Sequence, residues 1–240
     1  MQKINSVCVI GGGGFVGRHI LHLLQAAGYA VRVPTRRYES AKDLIVLPNV
    51  ELIEANIHDA QVLKELLSGM DAVINLTGIL HEGSAQRGSF QQVHVALPGK
   101  VAQACAAQGV RRLLHMSALG ADAQSKSAYL RSKAAGEAAV RAAESVAVTV
   151  FRPSVIFGPE DSFLNQFATL LKRLPVLALA CGDSKLQPVF VEDVARAYVA
   201  SLENPASFGQ AYALCGPKVY SLQQLVQYVA ALQQRRRGIF

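Results

Sequence analysis

The sequence predicts an α/β protein built on an open, doubly wound parallel sheet. Three observations carry that prediction. Short apolar runs alternate with amphipathic helical patterns through residues 7–151. A glycine-rich turn, Gly11-Gly12-Gly13-Gly14-Phe15-Val16-Gly17, joins the first apolar run to the first helical pattern. The connections are short, as in parallel sheets covered by helices on both faces.

The elements follow in order. Residues 7–10 read as a buried strand. Phe15, Val16, Ile20, Leu21 and Leu24 recur at helical spacing, which predicts a helix over 14–27, with Gly28 just past its end. Residues 29–33 alternate and read as a second strand, and Pro34-Thr35-Arg36-Arg37 as a loop. A third strand is expected over 50–55. Asp59 suits the N-cap of a helix over 60–67. Strand 72–77 leads into a polar loop, 78–88. An Ala/Gln-rich helix over 90–108 ends at Gly109. Strand 112–117, helix 127–144 and strand 146–151 complete the series.

After Pro153 the rhythm weakens and glycine and proline become frequent. Short strands near 188–191 and 211–214 flank a helix over 193–203. The expected organisation is a Rossmann-type dinucleotide-binding domain over residues 1–155. A smaller, irregular substrate-side region, 156–240, is interwoven with the sheet.

Composition narrows the classes. With 240 residues, 51% of them hydrophobic, the chain can bury a sizeable core. Cys8, Cys105, Cys181 and Cys215 have no CxxC spacing and read as buried thiols in a reducing compartment, with no metal site. Met1 to Asn5 run straight into the first strand, so no signal peptide is expected and the location is cytoplasmic. The apolar stretch 164–181 is broken by Lys172, Arg173 and Pro175, which argues against a membrane span. Net charge is +7, with Arg36-Arg37, Arg111-Arg112 and Arg235-Arg236-Arg237 grouped and the rest scattered as on a solvated surface. That balance suits an anionic cofactor, or peripheral contact with an acidic face of the cell membrane. No recognition motif or aromatic platform points to nucleic acid.

Three groups of residues could carry chemistry. Gly11, Gly14 and Gly17 form GxxGxxG between a strand and a helix. There, backbone N–H groups and the helix dipole of the Gly13-Gly14-Phe15-Val16 turn meet at one point, suited to a pyrophosphate. At the end of strand two, an NAD-binding fold places a carboxylate for the ribose. This chain has Arg36 and Arg37 instead. Guanidinium groups pair with a 2′-phosphate that a carboxylate would repel. The expected cofactor is therefore NADP(H) in preference to NAD(H), with Arg18 a further candidate for the same phosphate. Third, Tyr129 and Lys133 stand four apart on one helix. A nearby ammonium lowers a tyrosine pKa, and the phenol can then exchange a proton with a substrate oxygen. Ser117, after Met116 at the end of strand five, could hold a carbonyl.

The chain resembles an extended or atypical short-chain dehydrogenase/reductase of the NAD-dependent epimerase/dehydratase type. Glycine loop, strand-end serine and YxxxK come in that family's order. Asn75-Leu76-Thr77-Gly78, the run from Arg152 to Pro159 and the run from Pro188 to Ala195 add to the likeness. More narrowly, Val33-Pro34-Thr35-Arg36-Arg37, the run from Tyr129 to Glu137 and Asp161-Ser162-Phe163-Leu164-Asn165 are similar to the SDR-like accessory subunits of respiratory complex I and their bacterial relatives.

The resemblance implies roles. Gly11, Gly14 and Gly17 would cradle the pyrophosphate, and Arg36 and Arg37 would face the 2′-phosphate. Asn56 and Ile57 would border the adenine. Leu76, Thr77 and Gly78 would line the ribose on the nicotinamide side. Tyr129 and Lys133 would hold that ribose, with Tyr129 as acid/base, and Pro153, Ser154 and Val155 would lie along the nicotinamide ring. Relatives often carry Asn where this chain has His94, for which a structural hydrogen bond is favoured over a proton relay. Relatives also continue well past Arg237, so part of the substrate lid is expected to be missing.

Two functional readings stand at this point. One is an NADP-dependent oxidoreductase or epimerase acting on an unidentified small molecule through Ser117, Tyr129 and Lys133. The other is a non-catalytic NADPH-binding module that docks onto a respiratory or quinone-related complex. Weaker candidates are read as structural. Asp193 is expected to cap a helix, Asp122 and Asp161 to be loop carboxylates without partners, and His81 and Glu82 to be solvated. Phe163, Phe167, Leu170 and Leu171 read as a core stripe.

Overall fold

The computed structural model describes residues 3–83, 88–235 and 237–240. Residues 84–87 of the polar loop and Arg236 of the arginine group lie outside them. The chain forms two compact units, 3–152 with 195–213, and 153–194 with 214–240.

In the first unit, β1 (Ser6–Ile10) leads through the glycine turn into α1 (Phe15–Ala26) and β2 (Ala30–Thr35). A 3-10 segment, Tyr38–Val46, precedes β3 (Val50–Glu54), α2 (Ala60–Leu67) and β4 (Ala72–Asn75). A π-helical turn, Gln91–Ala96, runs directly into α3 (Leu97–Gln108). Then come β5 (Arg112–Met116), α4 (Ala128–Arg141) and β6 (Ala147–Pro153). The remaining elements are β7 (Ile156–Phe157), α5 (Phe163–Arg173), β8 (Val176–Leu177), β9 (Lys185–Leu186), β10 (Val189–Phe190), α6 (Val191–Ser201), β11 (Ala211–Leu214), β12 (Tyr220–Ser221), α7 (Leu222–Leu232) and β13 (Gly238–Ile239).

The central sheet has seven strands in the order β11-β6-β5-β4-β1-β2-β3. Strands β1 to β6 pair in parallel throughout. The order reverses between β1 and β4, which creates the crevice where open α/β sheets place ligands. Cys8 and Ile10 of β1, Val73 of β4 and Leu113 of β5 are fully buried against α2 and α3. That burial explains why these strands read as continuous apolar runs.

Local signals behave as their chemistry requires. Asp59 accepts from the N–H groups of Gln61 and Val62 and caps α2. Ser127 caps α4 by accepting from Leu130 N–H. Gly28 and Gly109 follow their helices with φ of +81° and +70°. Strand β2 runs two residues past the expected end, so Pro34 and Thr35 pair with Ile53 and Glu54 rather than forming a loop.

Other expectations are corrected. Asp193 lies in the first turn of α6 rather than capping it. Asp161 is buried and partnered: it accepts from Leu164 N–H at 2.6 Å and Gly158 N–H at 3.3 Å. Asp122 accepts from Gln124 N–H at 2.9 Å. His81 and Glu82 are exposed as expected, Glu82 also accepting from Phe90 N–H at 2.9 Å. Cys8 and Cys105 are buried, but Cys181 is exposed. Arg112, grouped in the sequence with other basic residues, is buried in the core. In the second unit Leu171 is buried between α5 and α7, with Phe167 and Leu170 packed around it as the apolar stripe predicted.

Candidate functional site

The glycine turn is packed too closely for side chains. Gly11 has φ of +86°, and a Cβ there would sit 3.3 Å from the Leu76 side chain. A Cβ on Gly17 would fall 2.4 Å from the Gly12 carbonyl oxygen and 2.6 Å from that of Gly11. The first turn of α1 therefore lies directly on the loop. No side chain caps this helix, so the first N–H groups, from Phe15 onward, keep their capacity to bind an acceptor. Gly13 is less confined, with the Ala41 side chain 3.5 Å from a Cβ placed there. Arg18 is engaged within the chain. Its guanidinium donates to Gly13 O at 3.1 Å and pairs with Asp43, tying the loop to the 3-10 segment.

Arg36 and Arg37 follow β2 and are exposed. The Arg37 carbonyl accepts from the hydroxyls of Thr35 at 3.0 Å and Ser40 at 2.7 Å, which folds the backbone into the 3-10 segment. Across the edge of the sheet, Asn56 Oδ1 accepts from His58 N–H at 3.1 Å. Ile57 packs onto the main core. Burial, with Lys100 and Arg36 nearby, lowers the His58 pKa.

The end of β4 joins the glycine turn to the YxxxK helix. Leu76 N–H donates to Ile10 O at 2.9 Å. Thr77 donates to Asn75 Oδ1 from both its N–H, at 3.1 Å, and its hydroxyl, at 2.7 Å. A Cβ on Gly78 would sit 3.6 Å from Lys133 Nζ and 3.7 Å from His94 Nε2. Lys133 is buried, and its ammonium donates to Met116 O at 2.8 Å. Burial pulls its pKa down to about 8, against the opposing pull of Glu137. Glu137 is itself buried and takes two hydrogen bonds from Arg152, at 2.8 and 2.5 Å.

Tyr129 differs from expectation. Burial raises its pKa rather than a neighbouring cation lowering it. Its ring meets Phe90 and His94 edge-on, at centroid distances of 5.9 and 5.5 Å. Ser117 donates from its backbone to Phe151 O at 2.7 Å. Its hydroxyl is buried and has no hydrogen-bond partner among the described residues, an arrangement that needs an explanation in a polar crevice. Pro153 ends β6. Beyond it, Ser154 N–H donates to Leu214 O, and Val155 O accepts from Val189 N–H, both at 2.9 Å within the second unit.

Sequence reasoning missed part of this network. His94 lies in the π-helical turn, a geometry often found at functional sites. Its Nε2 accepts from Ile79 N–H at 3.0 Å, and its Nδ1 lies 2.8 Å from Ser132 Oγ. Ser132 in turn donates to Tyr129 O at 2.7 Å. The structural role expected for His94 is thus the observed one. Gly136 lets α4 approach: a Cβ there would fall 2.0 Å from His94 O. His115 is buried beside Asn75, and burial drives its pKa well down. The only sequence trace of Gly136 was its place in the helix after YxxxK.

These residues bring a helix N-terminus, a glycine cradle, a buried lysine and a buried free hydroxyl to one edge of the sheet. The sequence profile described as NAD dependent epimerase/dehydratase family matches residues 7–215. The chain is 35% identical over 232 residues to NADH dehydrogenase (ubiquinone) 1 alpha subcomplex subunit 9 of Mus musculus, covering 95% of this chain and 61% of that protein. It is 33% identical over 202 residues to the ceramide reductase of Caulobacter vibrioides, covering 83% and 61%. It therefore spans about three fifths of the length of these two relatives. Among solved structures, the UDP-glucuronic acid 4-epimerase of Bacillus cereus, in complex with UDP-glucuronic acid and NAD, shares the fold with a TM-score of 0.83. That pair is 18% identical over 98% of this chain and 85% of the other. The profile match and the relatives' identity together place this chain in the NAD dependent epimerase/dehydratase family, the extended branch of the short-chain dehydrogenases/reductases.

Proposed function

We propose that the chain binds a nicotinamide dinucleotide, NADP(H) in preference to NAD(H), and reduces or oxidises a small carbonyl or alcohol substrate beside it. The observation that carries the proposal is the uncapped first turn of α1 lying on a loop that only glycine fits at position 17. A pyrophosphate supplies the acceptors that this helix end lacks. Gly11, Gly14 and Gly17 cradle it, with Gly13, Phe15 and Val16 presenting the surrounding backbone. Arg36 and Arg37 face the 2′-phosphate, Asn56 and Ile57 border the adenine, and Leu76, Thr77 and Gly78 line the second ribose. Met116 fixes Lys133, which holds that ribose together with Tyr129.

The dinucleotide supplies or accepts hydride. The chain does the rest. Ser117, whose hydroxyl lacks a partner among the described residues, donates to the substrate oxygen. Tyr129 gives that oxygen a proton in the reducing direction and takes it back in the oxidising one. Its raised pKa keeps the phenol protonated, as reduction requires. The reductase names among the relatives, ceramide reductase and 2-alkyl-3-oxoalkanoate reductase, favour a substrate with an alkyl chain.

A second reading rests on the complex I subunits among the relatives. There the dinucleotide is held without turnover, and the chain docks onto a respiratory or quinone-related complex. Calorimetric titration tests the cofactor assignment: NADPH is expected to bind more tightly than NADH, and Arg36→Ala with Arg37→Ala to remove the difference. Equal affinities in the parent chain would sink the 2′-phosphate assignment. Steady-state assays with alkyl ketones then separate the readings. Turnover lost in Tyr129→Phe supports the enzyme; retained, unreacting NADPH supports the module.

A further inference from the structure

We propose that Glu137, seated by Arg152, is a positioning residue that keeps the Lys133 ammonium charged and in place for the dinucleotide ribose. This rests on the reading of Lys133 as a ligand of that ribose.

The geometry begins with α4. Lys133 and Glu137 stand four apart, on one face of the helix. Both are buried, and each is tied to the C-terminal edge of the sheet, at neighbouring strands. The Lys133 ammonium donates to Met116 O, at the end of β5. Met116 pairs with Phe151 of β6, and Arg152 is the next residue along. Its Nε and Nη2 donate to the two carboxylate oxygens of Glu137. A buried ammonium, a buried carboxylate and a second cation thus follow one another along the edge.

The two partners of the pair act differently on Lys133. The Arg152 side chain is 38% exposed, against 5% for Glu137. Water screens the guanidinium, whereas the carboxylate acts on Lys133 from the buried side of the helix. Arg152 therefore seats the carboxylate without cancelling it. Burial disfavours the ammonium, Glu137 favours it, and the balance leaves the Lys133 pKa at about 8. Lys133 is then mostly charged at pH 7, and a charged donor holds a hydroxyl more strongly than a neutral one.

The other titratable groups facing Lys133 are His94 from the π-helical turn, His115 from β5, and Tyr129 one turn earlier on α4. Burial and the Lys133 charge lower the His94 pKa to about 4 and that of His115 well below 6.5. Burial raises the Tyr129 pKa above 10. All three are neutral between pH 7 and 9, which leaves Glu137 to set the charge of Lys133 there.

Carbon-13 NMR of lysine-labelled protein reads the Lys133 ammonium directly, its signal identified by its absence in Lys133→Met. The parent midpoint is expected near pH 8. Glu137→Gln is expected to lower it by about one pH unit. Arg152→Gln is expected to raise it, because the carboxylate stays and loses its neutralising partner. Arg152→Lys keeps a cation there and is expected to stay close to the parent. Circular dichroism establishes that each variant folds. A midpoint unmoved in Glu137→Gln overturns the proposal. So does one lowered equally by both Gln variants, which would mark the pair as a fastening of α4 alone. Calorimetric titration with NADPH is the second readout. Affinity is expected to fall about tenfold as Lys133 loses its charge, and to do so about one pH unit earlier in Glu137→Gln. A displaced midpoint with NADPH affinity flat across the same range would overturn the ribose reading of Lys133, and this role with it. An unmoved midpoint overturns the positioning role alone.

Discussion

Ile79 N–H donates to His94 Nε2 at 3.0 Å. An accepting Nε2 requires the proton of the neutral ring to sit on Nδ1, where Ser132 Oγ receives it at 2.8 Å. One imidazole therefore clamps the loop after β4 to the helix that carries Tyr129 and Lys133. The clamp works only with a neutral ring, and Phe90 stacks on it at 5.1 Å.

Protonation should accordingly loosen the fold. Burial first, then the Lys133 charge, lowers the His94 pKa from 6.5 to about 4. The fold prefers the neutral base, so this contribution is complete above pH 6.5 and is lost as pH falls toward 4. The lost stability is roughly 3 kcal/mol for this group. His115, also lowered, adds in the same direction. Denaturation curves across that range are expected to show a steep acid loss in the parent chain and a shallower one in His94→Asn. Parallel slopes would show that His94 does not titrate with folding.

Most of the sheet was legible in the sequence because its strands are buried on both faces and read as unbroken apolar runs. The glycine turn was legible because a backbone packed against a backbone leaves glycine no substitute. Arg112 was not. A buried charge looks like a surface charge when its acceptors lie far along the chain. Arg112 finds Ser201 O and Leu202 O at the end of α6, some ninety positions away by sequence separation. The depression of Lys133 likewise depends on burial, which spacing does not encode.

Gly136→Ala should cost more than an ordinary helix substitution. Alanine normally favours a helix. Here the added methyl would fall 2.0 Å from His94 O, so α4 must move away from the π-helical turn. Such overpacking costs roughly 3 kcal/mol or more. A drop in Tm of about 6 °C or beyond is expected, with weaker dinucleotide binding, since Tyr129 and Lys133 move with α4. An unchanged or raised Tm would refute the packing argument.

Among the described residues, Arg112 is a structural cation without a carboxylate partner in its hydrogen bonds. Its guanidinium donates to Ala147 O, Thr149 Oγ1, Ser201 O, Leu202 O and Ser207 Oγ at 2.7 to 3.2 Å. Its Cζ lies 4.6 Å over the Phe208 ring. Two of these carbonyls end α6, where a cation also meets the negative end of the helix dipole. Arg112→Met strands them, and a loss of about 3–5 kcal/mol is expected in urea denaturation. Arg112→Lys should recover only part, because an ammonium has three donors and no planar fork. Equal stability of Lys and Arg at this position would show that charge alone matters.

Lys133 is the residue for which stability and function should part. Burial holds its ammonium at a pKa of about 8 instead of 10.5. The fold therefore favours the neutral amine. Its burial costs full stability below pH 8, and that loss is recovered as pH rises toward 10.5, by roughly 3 kcal/mol. Lys133→Met removes the cost while leaving the Met116 carbonyl without its donor, a partial offset of about 1 kcal/mol. The variant should be more stable than the parent by roughly 1–2 kcal/mol at pH 7 and show no rise between pH 8 and 10.5. Its affinity for NADPH should fall at the same time. That combination is the signature of a lysine kept for its ligand. A variant that is both less stable and unchanged in NADPH affinity would make Lys133 a structural residue and remove it from the proposed site.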